Sequence, residues 1–174
     1  MTPVDQAIHE APIHTLSRAD TLVRLEAQKQ MRGLQAQYGA MRLEPYGFRV
    51  YSQHDEDGII QEIFRRIGTT CRRFVEFGAG IGIESNCAYL LLQGWSGVWA
   101  DGNPKYVETI QKTFEHEIAA GRLTAFERMV TIENVDELVG ARDLDLLSID
   151  VDGNDYHLWE AVKSRPRVVV IEYN

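Results

Sequence analysis

The residues with the clearest chemical potential are three glycines at alternate positions, directly after a short apolar run that contains an acid. The stretch over residues 74–82 reads Phe-Val-Glu-Phe-Gly-Ala-Gly-Ile-Gly. Glycine has no Cβ, so its backbone can approach a ligand closely and adopt torsions that other residues avoid. The helix expected after such a turn directs its free N–H groups at whatever sits on the turn. The pattern therefore predicts a buried strand followed by a nucleotide-binding turn.

The glycine spacing separates two classes of nucleotide ligand. A dinucleotide fingerprint has glycines at the first, third and sixth positions, and the sixth position from Gly78 is Ile83. The observed E-x-G-x-G-x-G resembles motif I of the Rossmann-like methyltransferases that use S-adenosylmethionine (SAM). That resemblance implies an acid, Glu76, near the methionine amino group of SAM and a cofactor loop formed by Gly78, Ala79, Gly80 and Gly82. An NAD(P)-dependent oxidoreductase is disfavoured, and a tight turn without a ligand remains an alternative.

Two segments are expected ahead of the glycine motif. Residues 1–50 are interpreted as a leader and an amphipathic helix over 17–41, and residues 51–174 as the SAM-binding domain. Within the domain, Ser52 and Gln53 precede a run of acids and a helix with one apolar face. The acids suit the first turn of that helix. The Ser-Gln segment also resembles the one that precedes motif I in FkbM-type methyltransferases, and this resemblance implies that Ser52 and Gln53 are candidates for the cofactor or substrate pocket.

Strand and helix patterns alternate after the glycine motif. Ser85 or Asn86 is expected to cap a helix ending near Leu92, and Ser85 is also a candidate cofactor-binding residue. Gly97–Asp101 is expected to form a second strand. The acid at the end of that strand, Asp101, occupies the position that binds ribose hydroxyls in Rossmann-like folds. Gly102 and Asn103, which complete the predicted cofactor turn, lead into a helix that begins at Pro104 and extends to Gly121.

Three further strands complete the predicted sheet. Residues 123–130 form the third, with Met129 and Val130 expected near the adenine; residues 144–150 form the fourth; and residues 168–171 form a fully buried fifth strand. A helix over 156–164 with Trp159 turned inward connects the last two. The alternation predicts an α/β, Rossmann-like three-layer sandwich with a mainly parallel sheet in the order 3-2-1-4-5.

Acids near the ends of the last two strands are candidates for catalysis or metal binding. Methyl transfer requires alignment of an acceptor and removal of its proton, and Asp150 and His157 are the available bases. Asp150 is also a candidate cofactor residue at this edge of the sheet. An oxygen-rich magnesium site formed by Asp150, Glu172 and Asn174 is a second hypothesis. The alternative is that these acids only cap helices or end strands.

Several motifs together resemble the FkbM-type SAM-dependent methyltransferases, over about two thirds of the chain. They are the Ser-Gln segment, E-F-G-A-G-I-G, the Asp101 turn, S-I-D-V-D-G-N-D and the final I-E-Y-N. The resemblance implies O-methylation of a hydroxyl on a small molecule or sugar. Because further strands follow the fifth in the methyltransferase fold, we expect the chain to be truncated at its C-terminus. A non-catalytic SAM-binding scaffold, or a fragment that needs a partner chain, is the alternative.

Composition limits the partners. With 26 acidic and 18 basic residues the formal charge is -8, which disfavours nucleic acid. Cys71 and Cys87 show no metal-ligand spacing and are expected to be reduced core thiols. The sequence lacks a membrane-spanning apolar stretch and a signal-peptide pattern, so a cytoplasmic location is expected. The exposed sheet edge or the N-terminal helix is where a second copy would associate.

Overall fold

The computed structural model describes residues 42–140 and 143–173. The helix expected over 17–41 and the metal ligand expected at Asn174 lie outside the described residues. None of the helices in these two ranges is long and apolar enough to cross a membrane.

A five-stranded sheet forms the centre of the described chain. Every neighbouring pair of strands is parallel, and the order is β3-β2-β1-β4-β5, which confirms the predicted Rossmann-like topology. β1 is the middle strand, so its carboxyl end, where the glycines follow, lies between the ends of β2 and β4. The strands are β1 Arg73–Phe77, β2 Ser96–Asp101, β3 Leu123–Glu127, β4 Leu146–Ile149 and β5 Val168–Ile171.

Helices connect the strands and cover the sheet on both sides. A 3₁₀ helix, Glu44–Tyr46, precedes the first α-helix. The α-helices are α1 Glu56–Ile67, α2 Ala88–Leu92, α3 Pro104–Thr113, α4 Glu115–Ala119, α5 Val135–Val139 and α6 Asp155–Ala161.

Two apolar cores lie on opposite faces of the sheet. On one face, Phe74 and Trp99 pack with α1, α2 and α3, and on the other, Val75 and Phe77 pack with α5 and α6. Successive side chains of a strand point to opposite faces, so one buried strand supplies both cores. The result is the three-layer arrangement expected from the sequence.

Four local expectations were wrong. β3 ends at Glu127, three residues earlier than expected, and the bond from the Arg128 N–H to the Asp101 carbonyl is the last one of its ladder with β2. β5 is half-buried because it is the outermost strand of the described sheet. The helix expected from Pro104 to Gly121 is broken at Phe114 into α3 and α4. Trp159, expected to face inward, is 46% exposed.

The two cysteines are free thiols, as expected. Cys87 is fully buried and Cys71 is half-buried. Burial, followed by the nearby charge of Glu76, raises the pKa of the Cys87 thiol well above its ordinary value. Cys87 therefore stays protonated in the core.

Candidate cofactor and catalytic site

Gly78 allows the loop after β1 to cross the backbone that follows β4. Its φ is +75°, and a Cβ at this position would lie 1.6 Å from the carbonyl oxygen of Asp150. No side chain fits there, and non-glycine residues also disfavour this torsion. The first glycine thus brings the ends of the two central strands together.

Gly80 is the glycine that faces open space. Its φ is +57°, and no heavy atom of the described part of the chain lies within 4 Å of the position that a Cβ would occupy. Its N–H donates to Oδ2 of Asp101 over 3.0 Å, so the loop is held against the end of β2. This combination leaves a cradle beside an acid, where a ligand can approach the backbone closely.

Gly82 has a packing role. Its φ is +84°, and a Cβ there would lie 2.7 Å from Phe114 and 3.0 Å from Trp99. The absence of a side chain lets the loop lie on these two buried rings, whose centroids are 4.8 Å apart. Gly82 stands one position earlier than the third glycine of a dinucleotide fingerprint, and its lack of a side chain allows this close contact between the loop and the core.

Glu76 is buried beneath the glycine loop. Its Oε1 accepts a hydrogen bond from the Asn86 N–H at 2.8 Å, and its Oε2 accepts one from the Trp99 indole at 2.7 Å. Burial raises the pKa of Glu76, although hydrogen bonds, first of all from Ser85, partly oppose the rise. The carboxyl group is 2% exposed, so its evident role is to hold the loop, and contact with a cofactor stays a prediction.

The start of α2 differs from the expected ligand-directed helix. Ser85 Oγ accepts hydrogen bonds from the N–H groups of Cys87 and Ala88, at 3.2 and 3.0 Å. Together with the Asn86 N–H on Glu76, these donors are already satisfied within the protein. The helix has only five residues. The backbone available to a ligand is therefore the glycine loop rather than the helix terminus.

Asp101 and its neighbours shape the side of the cradle formed by β2. Asp101 Oδ1 accepts the Asn103 N–H at 2.7 Å, and Asn103 caps α3 by accepting the Lys105 N–H. A Cβ on Gly102 would lie 2.9 Å from the methyl group of Met129. Met129 is 68% exposed, so the structure brings an adaptable apolar side chain to this turn. Val130 instead packs partly buried against the second core.

The segment before α1 is organised by Asp57, which the sequence suggested only as a helix-dipole acid. Asp57 Oδ2 accepts three backbone N–H groups, from Val50 and Tyr51 at 2.6 Å and from Ser52 at 3.1 Å. Asp57 is 1% exposed, and burial raises its pKa. Ser52 is fully buried and bonded to this turn, whereas Gln53 is exposed.

Three carboxyl groups converge where β4 and β5 end. Oxygen atoms of Asp150, Asp152 and Glu172 lie within 4.8 Å of one another. Burial, followed by the charge of Glu172, raises the pKa of Asp150 to about 6. Asp152 has a φ of +56°, a torsion that Asp tolerates better than most residues.

The cluster contains two of the three predicted metal ligands, Asp150 and Glu172, and adds Asp152. The only sequence signal for Asp152 was its place in the acid-rich S-I-D-V-D-G-N-D run. Buried Asp155 accepts the N–H groups of Val151 and Gly153, at 2.7 and 2.9 Å, and so fixes the loop that carries Asp152. His157 lies exposed on α6 with its ring against Tyr156, and its catalytic role stays a prediction.

No protein-family model matches the chain, and no curated protein is significantly similar to it. Solved structures of SAM-dependent methyltransferases are among those with a similar fold. One, from Thiobacillus denitrificans in complex with S-adenosyl-L-homocysteine, is 17% identical, with a TM-score of 0.38 over 59% of this chain and 44% of the other. Another, Podospora anserina PaMTH1 bound to S-adenosyl-L-homocysteine, is 13% identical, with a TM-score of 0.46 over 79% and 53%.

A third, precorrin-6y C5,15-methyltransferase from Geobacter metallireducens, is 19% identical, with a TM-score of 0.45 over 69% of this chain and 62% of the other. The chain therefore spans less than two thirds of each of these three proteins.

Proposed function

We propose that the chain is a SAM-dependent methyltransferase that transfers a methyl group to a hydroxyl of a small molecule or sugar. The observation that carries the proposal is the cradle at Gly80, open above its backbone and bordered by the Asp101 carboxylate. It lies at the carboxyl edge of the central strands, where open α/β sheets bind their ligands.

The chemistry of the cradle suits a nucleoside with an amino-acid tail. Asp101 uses one lone pair of each oxygen on backbone N–H groups, and a carboxylate retains further acceptor sites for ribose hydroxyls. Met129, mostly exposed beside Gly102, offers an apolar surface for a purine. Gln53 is the exposed member of the Ser-Gln pair and supplies an amide to the same pocket in this proposal.

SAM, when bound, supplies a methyl group on a sulfonium that leaves as a neutral thioether. Transfer of that methyl group to a hydroxyl would release the hydroxyl proton, and a base of the chain would have to accept it. We assign that base to Asp150. A pKa of about 6 leaves it ionised at neutral pH yet more basic than an ordinary carboxylate. Activity should therefore rise as the pH passes through about 6.

Magnesium is an alternative use of the same acids. Three carboxylate oxygens within 4.8 Å of one another are the type of donor that Mg²⁺ prefers, and a bound cation would lower the pKa of an acceptor hydroxyl. In that version Asp150 is a ligand instead of a base. Activity measured with added magnesium and with a chelator separates the two versions, because only the metal-assisted reaction depends on the ion.

The first test is calorimetric titration of the 174-residue chain with S-adenosylhomocysteine, comparing Gly80→Val with the unmodified protein. A valine fills the open side of the cradle, so we expect affinity to fall about 100-fold or more. Gly121→Val is the matched control, because Gly121 also has a positive φ, +70°, and open space, but precedes β3 at the other edge of the sheet. Equal affinity of the two valine variants would refute the site.

Turnover separates an enzyme from a scaffold. Formation of S-adenosylhomocysteine from SAM with a panel of hydroxylated acceptors supports the enzyme. Tight binding without turnover for any acceptor favours a non-catalytic SAM-binding domain. Binding of NAD in place of S-adenosylhomocysteine would contradict both.

A further inference from the structure

A second cavity lies at the opposite edge of the sheet, where the strands begin. It has a volume of about 310 Å³ and is formed by the end of α1, the loop before β1 and the segment between α2 and β2. Strand β1 separates it from the glycine loop by about 16 Å, at roughly 3.3 Å per residue over five residues. The cavity is thus distinct from the proposed cofactor site.

The base of the cavity is apolar and partly aromatic. Phe64, Leu90 and Trp95 line it, and each of them is almost completely buried. The rings of Phe64 and Trp95 meet edge to face, with centroids 4.8 Å apart. The small fraction of these side chains that stays exposed gives the cavity an apolar floor against which an apolar group can pack.

The rim carries positive charge and hydrogen-bond donors. Arg65 and Arg72 both line the cavity, and the Arg72 guanidinium makes no hydrogen bond or ion pair with the described residues. Glu62 pairs with both Arg65 and Arg66, at 2.5 and 2.7 Å. Of the two arginines that line the cavity, Arg65 is therefore already paired with Glu62, whereas Arg72 keeps an unpaired positive charge among the described residues. This local positive charge contrasts with the formal charge of -8 of the whole chain.

The wall that carries Arg72 is held rigidly. Buried Asp145 accepts the N–H groups of Thr70, Cys71 and Arg72 at 2.7–3.0 Å. Arg167 bonds to Asp145 and also donates to the Gly68 carbonyl at 2.7 Å. Arg72 is kept at a φ of +52°, which a residue with a Cβ rarely adopts. The arginine is thus presented at the cavity at a cost in backbone energy.

Gln93 provides an independent indication of a ligand. Its side chain lines the cavity, and its amide nitrogen is buried without a hydrogen-bond partner among residues 42–140 and 143–173. Buried donors are usually satisfied, because a buried donor without an acceptor has lost its hydrogen bonds to water and gained none in return. An acceptor on a bound molecule would satisfy this group.

From the apolar floor, the arginine rim and the unsatisfied amide, we propose that this cavity binds a small organic anion with a flat apolar body and a phosphate or carboxylate group. The apolar body lies on Phe64 and Trp95. The anionic group lies between Arg65 and Arg72, within reach of Gln93. This site does not depend on the proposed methyltransferase activity.

The test uses the full ¹⁵N-labelled chain and phenyl phosphate as the ligand, followed by NMR. We expect shifts of the Gly68 and Trp95 amide signals and a dissociation constant of about 1 mM or lower. Phenol has only the aromatic ring of phenyl phosphate, and inorganic phosphate has only its anionic group. Each should therefore bind about tenfold more weakly than phenyl phosphate, or more weakly still. Benzoate, titrated in parallel, distinguishes a carboxylate ligand from a phosphate.

Two variants connect binding to the rim. Arg72→Gly removes the charge and suits the positive φ, so it keeps the fold and should weaken phenyl phosphate about tenfold. Gln93→Met removes the amide and should weaken binding to a smaller extent. Arg165→Gln, an exposed arginine before β5 that does not line the cavity, is the matched control and should bind normally.

Three outcomes would overturn the proposal. They are equal binding of phenol and phenyl phosphate, unchanged affinity in Arg72→Gly, and shifts confined to the signals of Gly78 and Gly80. The last would place the anion in the glycine loop instead.

Discussion

Two aspartates at opposite ends of one strand have opposite electrostatic environments. Asp145 directly precedes β4 and Asp150 directly follows it. Burial is the largest single influence on both carboxyl groups, and by itself it would raise the pKa of each. At Asp145, the backbone N–H groups of the loop before β1 and the guanidinium of Arg167 outweigh burial and lower the pKa. At Asp150, the charge of Glu172 adds to burial, and the pKa rises to about 6.

The difference separates the two edges of the sheet. The edge where the strands begin is stabilised by contacts within the protein, whereas the edge where they end carries groups that can interact with a ligand. The donors around Asp145 satisfy its carboxylate, so that group fixes the fold. Asp150 has acids as neighbours. Its carboxylate would therefore be stabilised by a bound cation, by a proton taken from a substrate or by a hydrogen bond from a hydroxyl group. Perturbed carboxyl groups of this kind occur preferentially at functional sites.

Gly78→Ala should have the largest effect, because it attacks the contact that joins the ends of β1 and β4. The new Cβ would lie 1.6 Å from a backbone oxygen that cannot move independently. We expect loss of more than about 4 kcal/mol in the free energy of unfolding, or failure to fold. Urea denaturation measures this loss.

Gly140→Ala is the control for Gly78→Ala, because its φ is +74° and its nearest neighbour is 4.0 Å away. It tests the torsion without the clash, and should cost about 1 kcal/mol. Similar losses in the two variants would show that the carboxyl edge is not constrained by the contact with Asp150.

The sheet could be predicted from the sequence because its signals are local. The apolar runs at Phe74, Gly97, Leu144 and Val168, separated by helical patterns, indicated parallel strands, and the connection rules limited their order. Two of the wrong expectations concerned burial, which depends on where a strand or helix lies in the fold. Val168–Ile171 has the composition of a central strand but lies outermost in the described sheet, and Trp159 has the right period but the wrong exposure.

The candidate site was predictable only in part, for physical reasons. The glycines required by the loop were visible because no other residue allows its torsions and close contacts. The role of Asp57 was not visible, since an acid in a first helical turn is explained equally well by the helix dipole. Asp152 and the Asp145–Arg167 pair depend on which loops meet in space, and sequence spacing carries no such information.

Asp145→Asn tests whether the charge of the Asp145 carboxylate stabilises the edge of the sheet where the strands begin. An amide cannot provide the charged acceptor that serves three N–H groups and Arg167, and breaking a buried pair of this kind costs about 3 kcal/mol at neutral pH. Because folding lowers the pKa of Asp145, its contribution is present above its unfolded pKa and is lost as the pH falls through the folded value. The deficit of the variant should therefore shrink in acid, measured by denaturation across pH.

Asp143→Asn, two residues away at an exposed position, is the control for Asp145→Asn and should change stability by less than about 0.5 kcal/mol. A deficit in Asp145→Asn that does not depend on pH would mean that packing, rather than charge, holds this edge.

Asp150→Asn tests the other end and should have the opposite sign. Folding raises the pKa of Asp150 from 3.8 to about 6, so its ionisation destabilises the folded chain as the pH rises through that interval. The asparagine cannot ionise. We expect the variant to gain stability relative to the unmodified chain between pH 4 and 6 and to keep that gain at higher pH. Glu160→Gln, exposed on α6, should show no such step, and parallel pH curves for Asp150→Asn and the unmodified chain would contradict the assignment.

Arg72→Gly gives the smallest and most local test, at the edge held by Asp145. Relief of a φ of +52° should stabilise the folded chain, while the greater freedom of glycine in the unfolded chain removes part of the gain. We expect a net increase of about 0.5 kcal/mol in the free energy of unfolding. Arg73→Gly, one residue later and within β1, should instead lose about 1 kcal/mol, because glycine weakens a strand. If both variants lose stability, the backbone of Arg72 is not strained. The hydrogen bonds to Asp145 would then hold a loop that has no unfavourable torsion.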